Sequence, residues 1–547
     1  MPAFIQRNHI QVIRKNPGLP LQKQVVSVCR DLSFSSPALL KEYHDALLFL
    51  LAFPADKESV ELAKSELVRV ADFSQQKKGF HWQYSLTGSA IPGTEIKCQF
   101  SRILLRWLLE SCPSAIQPAE SAASAAEVKD FFQVMLPGIE FKRSTSGDLH
   151  LWKRIRDLSG HYFNREAVKW LVELTAQQPI PELLKDQLFD GLKVFTSWKL
   201  TREGLNRSFL KGAAGRWAYY TTGKKFQLSS LIRKPFKNTL PDPEEKAGLI
   251  STARASLAFY CRETDPFTYA AINETNCFDM GDGYRIALYG MTQDRRLSLD
   301  SYIGFLAFKN GLPVAYGGGW IFGHRCKIGV NIYPPFRGAD SAFLFTQVLR
   351  VYYQQYRVHY FLVKPYQFGR GNPEGIKSGA FWFYYKLGFR PATPTIEALA
   401  TAEWKNISAG KGYRSSTAVL KKLTEAPLLL VLNKVSLSDP RAAELSERVS
   451  GMIRDQYTGN RLLAIGQAAR QWKKMGGSAL PTFKEVAPGA WEDWLLLYSL
   501  LAGLKPRKAE WEKLARLRFS GPEASFIWAW QDSRHLWSGS RPKNNPD

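Results

Sequence analysis

The sequence predicts an α+β fold, a mixed sheet flanked by helices, set between two longer stretches that are mostly α-helical. Three observations predict it. Residues 284–332 read as successive strands broken by a two-residue Asn310-Gly311 turn. Residues 341–389 run as helix, strand and helix, and residues 35–215 and 403–517 return repeatedly to helical spacing. The implied organisation is a helical N-terminal region over 1–230, a sheet-bearing domain over 247–400 and a helical C-terminal region over 403–540.

A chain of 547 residues suffices for about three separately cored domains at roughly 100–200 residues each. Its 45% hydrophobic and 13% aromatic content excludes extended disorder. With 74 Lys+Arg against 49 Asp+Glu, the formal charge is +25, which favours anionic partners: RNA, DNA, lipid head groups or a phosphate-rich cofactor. Charge alone does not choose among these, and it also serves plain solubility. The six cysteines, at 29, 98, 112, 261, 277 and 326, form no CxxC knuckle, which argues against a zinc site and for a reducing compartment. The N-terminus lacks the apolar core of a signal peptide, and the best apolar run, 46–53, is too short to span a bilayer. These features predict a cytoplasmic protein with no membrane insertion and no bound metal.

The elements follow in order. Ser36 before Pro37 is a cap with a first-turn proline, and Leu40, Tyr43, His44 and Leu47 recur at helical spacing until Pro54. Val60, Ala63, Leu67 and Val70 mark a second helix, and 100–109 a third. The Ala/Ser-rich stretch 116–126 reads as a surface linker, with further helical pattern over 127–215. In 216–246, Arg216, Lys224, Lys225, Arg233, Lys234 and Lys237 interleave with Trp217, Tyr219, Tyr220 and Phe226, either to grip nucleic acid or as an interdomain segment whose rings pack down. From Tyr284 the period becomes that of strands, at 285–291, 302–308, 314–322 and 325–332. Gly317, Gly318 and Gly319 in the third of these allow close approach of a ligand or another backbone, or mark a bulge. A helix with Phe345, Val348, Leu349 and Tyr352 on one face leads to a strand at 358–364 and then to a helix over 378–387 that Gly388 ends.

Chemistry concentrates where the strand ending at Ile332 meets the helix after Asp340. Backbone N–H groups at a helix start, in a loop of small residues, can cradle a pyrophosphate. Arg337, Gly338, Ala339 and Ala342 supply charge and small size; Asp340 brings a carboxylate and is also an ordinary N-cap residue.

This segment resembles the acyl-CoA loop of the GNAT superfamily of N-acyltransferases, Gln/Arg-x-x-Gly-x-Gly/Ala. Arg337 stands in the first place and Ala342 in the sixth, while Asp340 stands in the fourth, where the family has glycine. Downstream, Ala380-Phe-Trp-Phe-Tyr384-Tyr385-Lys386-Leu387-Gly388-Phe389 is similar to the family's second motif, Ala-(x)3-Tyr-x-Lys-Leu-Gly-Phe. The resemblance covers about 110 residues, 280–392. It implies a GNAT-like domain that binds acetyl-CoA or another acyl-CoA through Ile332, Arg337, Gly338, Ala339, Asp340, Ser341 and Ala342. It also implies that an amine attacks the thioester while Tyr384 protonates the departing thiolate. Tyr384 equally suits the apolar face of its helix. His324, Glu374 and Asp279 are candidates for a general base, and the 368–373 loop for shaping an acceptor pocket. The acceptor amine is expected from a small molecule, a peptide or RNA. Two alternatives stay open: an aminoacyl-tRNA-dependent transferase of the same fold, and a catalytically inert module that binds nucleic acid.

Overall fold

The computed structural model describes residues 4–533 except 16, 78, 145–149, 211, 213–216, 221, 222, 224, 240, 339, 411, 434–440, 478–488 and 502–507. At the N-terminus, α1 (Arg7–Lys15) lies against α2 (Pro37–Ala52). Ser36 caps α2 by accepting from the Leu39 amide at 3.3 Å, with Pro37 in the first turn, as its sequence predicts. Leu40, Tyr43, His44 and Leu47 are buried. In α3 (Lys57–Gln76), Val60, Ala63, Leu67 and Val70 form the predicted apolar stripe, and Asp56 caps the helix through the Ser59 amide.

The N-terminal region is not wholly helical. β1 (Glu95–Gln99), β2 (Ile116–Ser121) and β3 (Val194–Lys199) form an antiparallel sheet in the order β1-β3-β2. The stretch expected to be a linker at 116–126 thus contains an edge strand, which tolerates Pro118 because an edge needs no donor on its outer side. Its strands are five or six residues long, and β1 and β2 pair with a segment 73 to 104 positions away, so local periodicity does not reveal them. Helices Arg102–Ser111, Ala125–Met135 and Arg165–Gln177 pack on this sheet in a core of their own.

The central sheet has nine strands in the order β11-β12-β10-β9-β8-β7-β6-β5-β4. In chain order, β4 (Lys237–Thr239) precedes α4 (Pro243–Ala258), and then come β5 (Ala270–Gly281), β6 (Tyr284–Met291), β7 (Ser301–Lys309), β8 (Leu312–Phe322) and β9 (Arg325–Ile332). After β9 follow α5 (Ser341–Gln355), β10 (Tyr360–Val363), α6 (Pro373–Ser378), α7 (Ala380–Lys386), β11 (Arg390–Pro391) and β12 (Leu428–Val431). Neighbours are antiparallel except β9 and β10, which run parallel, so the sheet is mixed and the fold α+β.

Strands begin before Tyr284, where the period was expected to change: β5 carries Asn273, Glu274, Thr275 and Asn276 in a row, which masks its alternation. β12 is a four-residue apolar run inside a stretch expected to be helical. The Asn310-Gly311 turn joins β7 to β8 with both residues at positive φ, +50° and +80°, as a type I′ hairpin requires. Asp282-Gly283 does the same between β5 and β6, at +51° and +74°. The helix expected over 378–387 is α7, which begins at Ala380 because Gly379, at φ +64°, separates it from α6.

The glycine run in β8 serves close packing. A Cβ on Gly317 would stand 2.1 Å from the Gly329 carbonyl, and one on Gly319 would stand 2.6 Å from the Tyr352 ring. The register of β8 is regular through these positions. Parallel pairing of β9 with β10 is confined to Arg325–Lys327 against Tyr360–Leu362. β10 ends at Val363, and from the 3₁₀ turn that follows it the Gln367 side chain lies against Gly329 of β9.

The C-terminal helices are pinned to the sheet by buried ions. Arg296 meets Glu274 and Glu523, and Arg518 meets Glu523 at 3.0 Å. In α8 (Glu523–Asp532), Trp528 donates to the Gln355 carbonyl and Gln531 to those of Gly323 and Tyr356. No helix among the described residues is long and apolar enough to cross a membrane.

Candidate functional site

β9 ends at Ile332, which pairs with Ala315 of β8. Pro334 and Pro335 force a single 3₁₀ turn, and α5 starts at Ser341. α1 buttresses the 3₁₀ turn, because Arg14 donates to the Pro334 carbonyl at 3.1 Å. Gly338 adopts φ +101°, accessible without strain only to glycine, and its missing Cβ faces open space with no atom within 4 Å. Ala339 lies outside the described residues. Ser341 and Ala342 form the first turn of α5, where the Ala342 carbonyl accepts from the Thr346 hydroxyl at 2.8 Å.

Asp340 occupies the N-cap position, yet its side chain makes no capping bond. Its carboxylate instead accepts from two phenols: Tyr220 at Oδ1 and Tyr284 at Oδ2, each at 3.1 Å. Both tyrosines are fixed. Tyr220 packs edge-on against Phe53, with its amide on the Pro54 carbonyl, and Tyr284 begins β6 beneath Lys309. Burial, with the Asp340 charge second, pushes the Tyr220 hydroxyl up to about 12 and Tyr284 well above its ordinary value. The carboxylate is therefore drawn off the helix axis, and the first-turn amides keep their partial positive charge.

Arg337 is half exposed. Its Nε donates to the Ile332 carbonyl at 3.2 Å and its other end pairs with Glu374 of α6. Glu374 is the one base candidate brought to the loop. His324 lies in the β8–β9 turn, stacked on His359 at 4.0 Å, the eight-residue length of β9 away, or roughly 25 Å at strand spacing. Asp279 lies on β5, four strands across, with its carboxylate on the Gly281 amide.

Tyr384 reaches the same region from α7 but points into apolar surroundings. Its ring is enclosed by Phe345, Phe368, Phe383 and Phe389, at 5.7, 6.3, 5.2 and 5.7 Å between centroids, and it is 3% exposed. Burial pushes its phenol above the ordinary value. Through Phe345 the helix of the second motif packs directly on the helix that the first motif begins.

On the other side of the β9 terminus, Tyr333 stacks on Tyr260 at 4.9 Å and donates to Ser256, and Arg262 donates to Tyr316 at 2.8 Å. A cavity of about 20 Å³ beneath them, lined in part by Arg207, Tyr260 and Tyr333, has room for about one water and no substrate. A cleft of about 1140 Å³ between helix Glu182–Gly191 and the β5–β6 rim shares no residue with the loop.

No family model, curated protein or solved structure matches this chain. The site is accordingly read from its own geometry. In the basic aromatic segment, Tyr220 and Phe226 pack down, the latter on Phe343 at 5.6 Å, whereas Tyr219 stays 47% exposed. Arg216 and Lys224 lie outside the described residues. Tyr220 and Tyr284 as partners of Asp340 were not foreseen. Asp282-Gly283 signals the hairpin that sets Tyr284 at a strand start, but contacts across 56 and 120 positions leave no local trace.

Proposed function

We propose that residues 247–400 carry a GNAT-like N-acyltransferase that takes an acetyl or other acyl group from acyl-CoA at the start of α5 and passes it to an amine. One observation carries this reading: Asp340 makes no capping bond because its carboxylate is held by Tyr220 and Tyr284, and a side chain on Gly338 in the same loop would meet open space. A diphosphate entering there meets oriented N–H groups and a helix dipole. Arg337 exchanges Glu374 for a phosphate oxygen, and a protonated Tyr384 phenol supplies the thiolate's proton once the donor opens its aromatic surround. The acceptor is an amine of a small molecule, a peptide or RNA. An aminoacyl-tRNA donor suits the same fold and the +25 charge. Titration calorimetry with acetyl-CoA tests the reading: saturable binding that Arg337→Ala weakens supports it, and no heat at millimolar ligand removes it.

A second reading rests on the enclosure of Tyr384 by four aromatic rings. It is a catalytically inert module of the same shape that binds nucleic acid. It requires salt-sensitive RNA or DNA affinity, steep in ionic strength, with no acyl transfer in any assay.

A further inference from the structure

Two cysteines far apart in sequence meet beside the residues that flank the end of β9. Cys98 is buried on β1, and Cys261 is exposed just past the end of α4. Cys261 takes φ +50°, with its amide on the Ala258 carbonyl at 3.0 Å, and this left-handed turn carries its thiol back onto β1. Its Sγ lies 3.9 Å from the Lys97 carbonyl, and Cys98 Sγ lies 3.5 Å from that of Gln99. The Cys261 thiol thus sits against the backbone of β1 at the residue before Cys98. Cys29, Cys112, Cys277 and Cys326 are all buried.

We propose that Cys98 and Cys261 are a peroxide-sensitive pair that closes reversibly to a disulfide, fastening β1 to the turn that ends α4. Cys261 is exposed and Cys98 buried, and the neighbouring Cys98 thiol holds Cys261 below its ordinary value against the opposing effect of burial, whereas the Cys261 thiol and then burial push Cys98 up. The exposed thiol is thus the nucleophile and the buried one resolves it. The Cys261 thiolate attacks one oxygen of hydrogen peroxide and breaks the O–O bond, giving a sulfenic acid and hydroxide, which takes up a proton to become water. The Cys98 sulfur then forms the S–S bond and displaces the sulfenic hydroxyl, which leaves as a second water with the Cys98 proton. Two thiols lose two electrons, and the peroxide gains them. A dithiol reductant reverses the link by exchange. The residues fastened include Tyr260 and Arg262, which hold Tyr333 and Tyr316, so the link stiffens one wall beside the end of β9.

Peptide mapping of the intact chain tests the pair. After brief treatment with hydrogen peroxide, alkylation and digestion without reductant, the peptides bearing residues 98 and 261 should appear joined, lighter by two hydrogen atoms than their sum, and should separate on adding dithiothreitol. Cys98→Ser should trap the sulfenic acid on residue 261, captured by dimedone, and Cys261→Ser should leave Cys98 alkylatable. In the wild-type chain, both cysteines still separately alkylated after peroxide would overturn the proposal, as would Cys261 passing to sulfinic acid with no joined peptide.

Discussion

Tyr284, the first residue of β6, donates its hydroxyl to Asp340 Oδ2 at 3.1 Å, so the sheet holds a carboxylate that a helix start would otherwise claim. Tyr220 donates to the other oxygen from a segment that α2 supports through Phe53 and Pro54. Removing both donors in Tyr220→Phe/Tyr284→Phe takes these two hydrogen bonds from a part-buried carboxylate. A loss of roughly 1–3 kcal/mol per bond is expected, read by chemical denaturation. The released Asp340 should then cap α5, and acetyl-CoA affinity should fall; unchanged affinity would mean that the carboxylate is irrelevant to the notch.

Alkaline pH probes the same pair. The Tyr220 hydroxyl is raised to about 12 from an ordinary value near 10, so its protonated form is the one the fold favours. Its contribution is complete below about pH 10 and is lost as pH rises through about 12. Stability measured across that window should decline less steeply in Tyr220→Phe than in wild type, and parallel curves would contradict the contact.

Charge at the loop should set donor affinity. Glu374→Gln frees Arg337 from its carboxylate partner, and Asp340→Asn removes a negative charge beside the phosphate position. Each should tighten acetyl-CoA binding several-fold, an effect of about 1 kcal/mol for charges a few ångströms apart near the surface. Arg337→Ala should weaken it. Calorimetry on the three variants reads all of these directly, and a uniform absence of change would place the donor elsewhere.

Tyr384 separates packing from catalysis. Tyr384→Phe keeps every ring contact and should leave the melting temperature nearly unchanged while lowering turnover without altering donor affinity. Tyr384→Ala opens a cavity among four aromatic rings, and about 3–5 kcal/mol of stability should go with it. Full turnover in the phenylalanine variant would leave the side chain a purely structural one.

At the other end of the sheet, Glu523 neutralises Arg296 and Arg518, whose side chains are 3% and 2% exposed. Glu523→Gln removes the carboxylate partner of buried Arg518 and leaves Arg296 with Glu274 alone, and should cost about 3–5 kcal/mol. Hydrogen exchange should show the loss first in the C-terminal helices. A uniform effect across the chain would argue that the cluster does not hold them separately.

What was legible in the sequence divides by range. The Asn310-Gly311 hairpin, the apolar face of α5 and the Gly388 stop are written within a few residues, and the fold has them where they were expected. β5 hides its alternation behind four consecutive polar residues, and β2 and β12 are too short to show a period. The loop from Arg337 to Ala342 could be located but not interpreted, because the orientation of Asp340 depends on two phenols that arrive from β6 and from the 217–220 segment.

Hydrogen–deuterium exchange with acetyl-CoA bears most directly on the claim that α5 offers its first-turn amides to a phosphate. Slowed exchange concentrated at residues 337–344, with Ser341 and Ala342 foremost, is the expected result. Exchange there that is unaffected by saturating acetyl-CoA, or protection confined to another part of the chain, would contradict it.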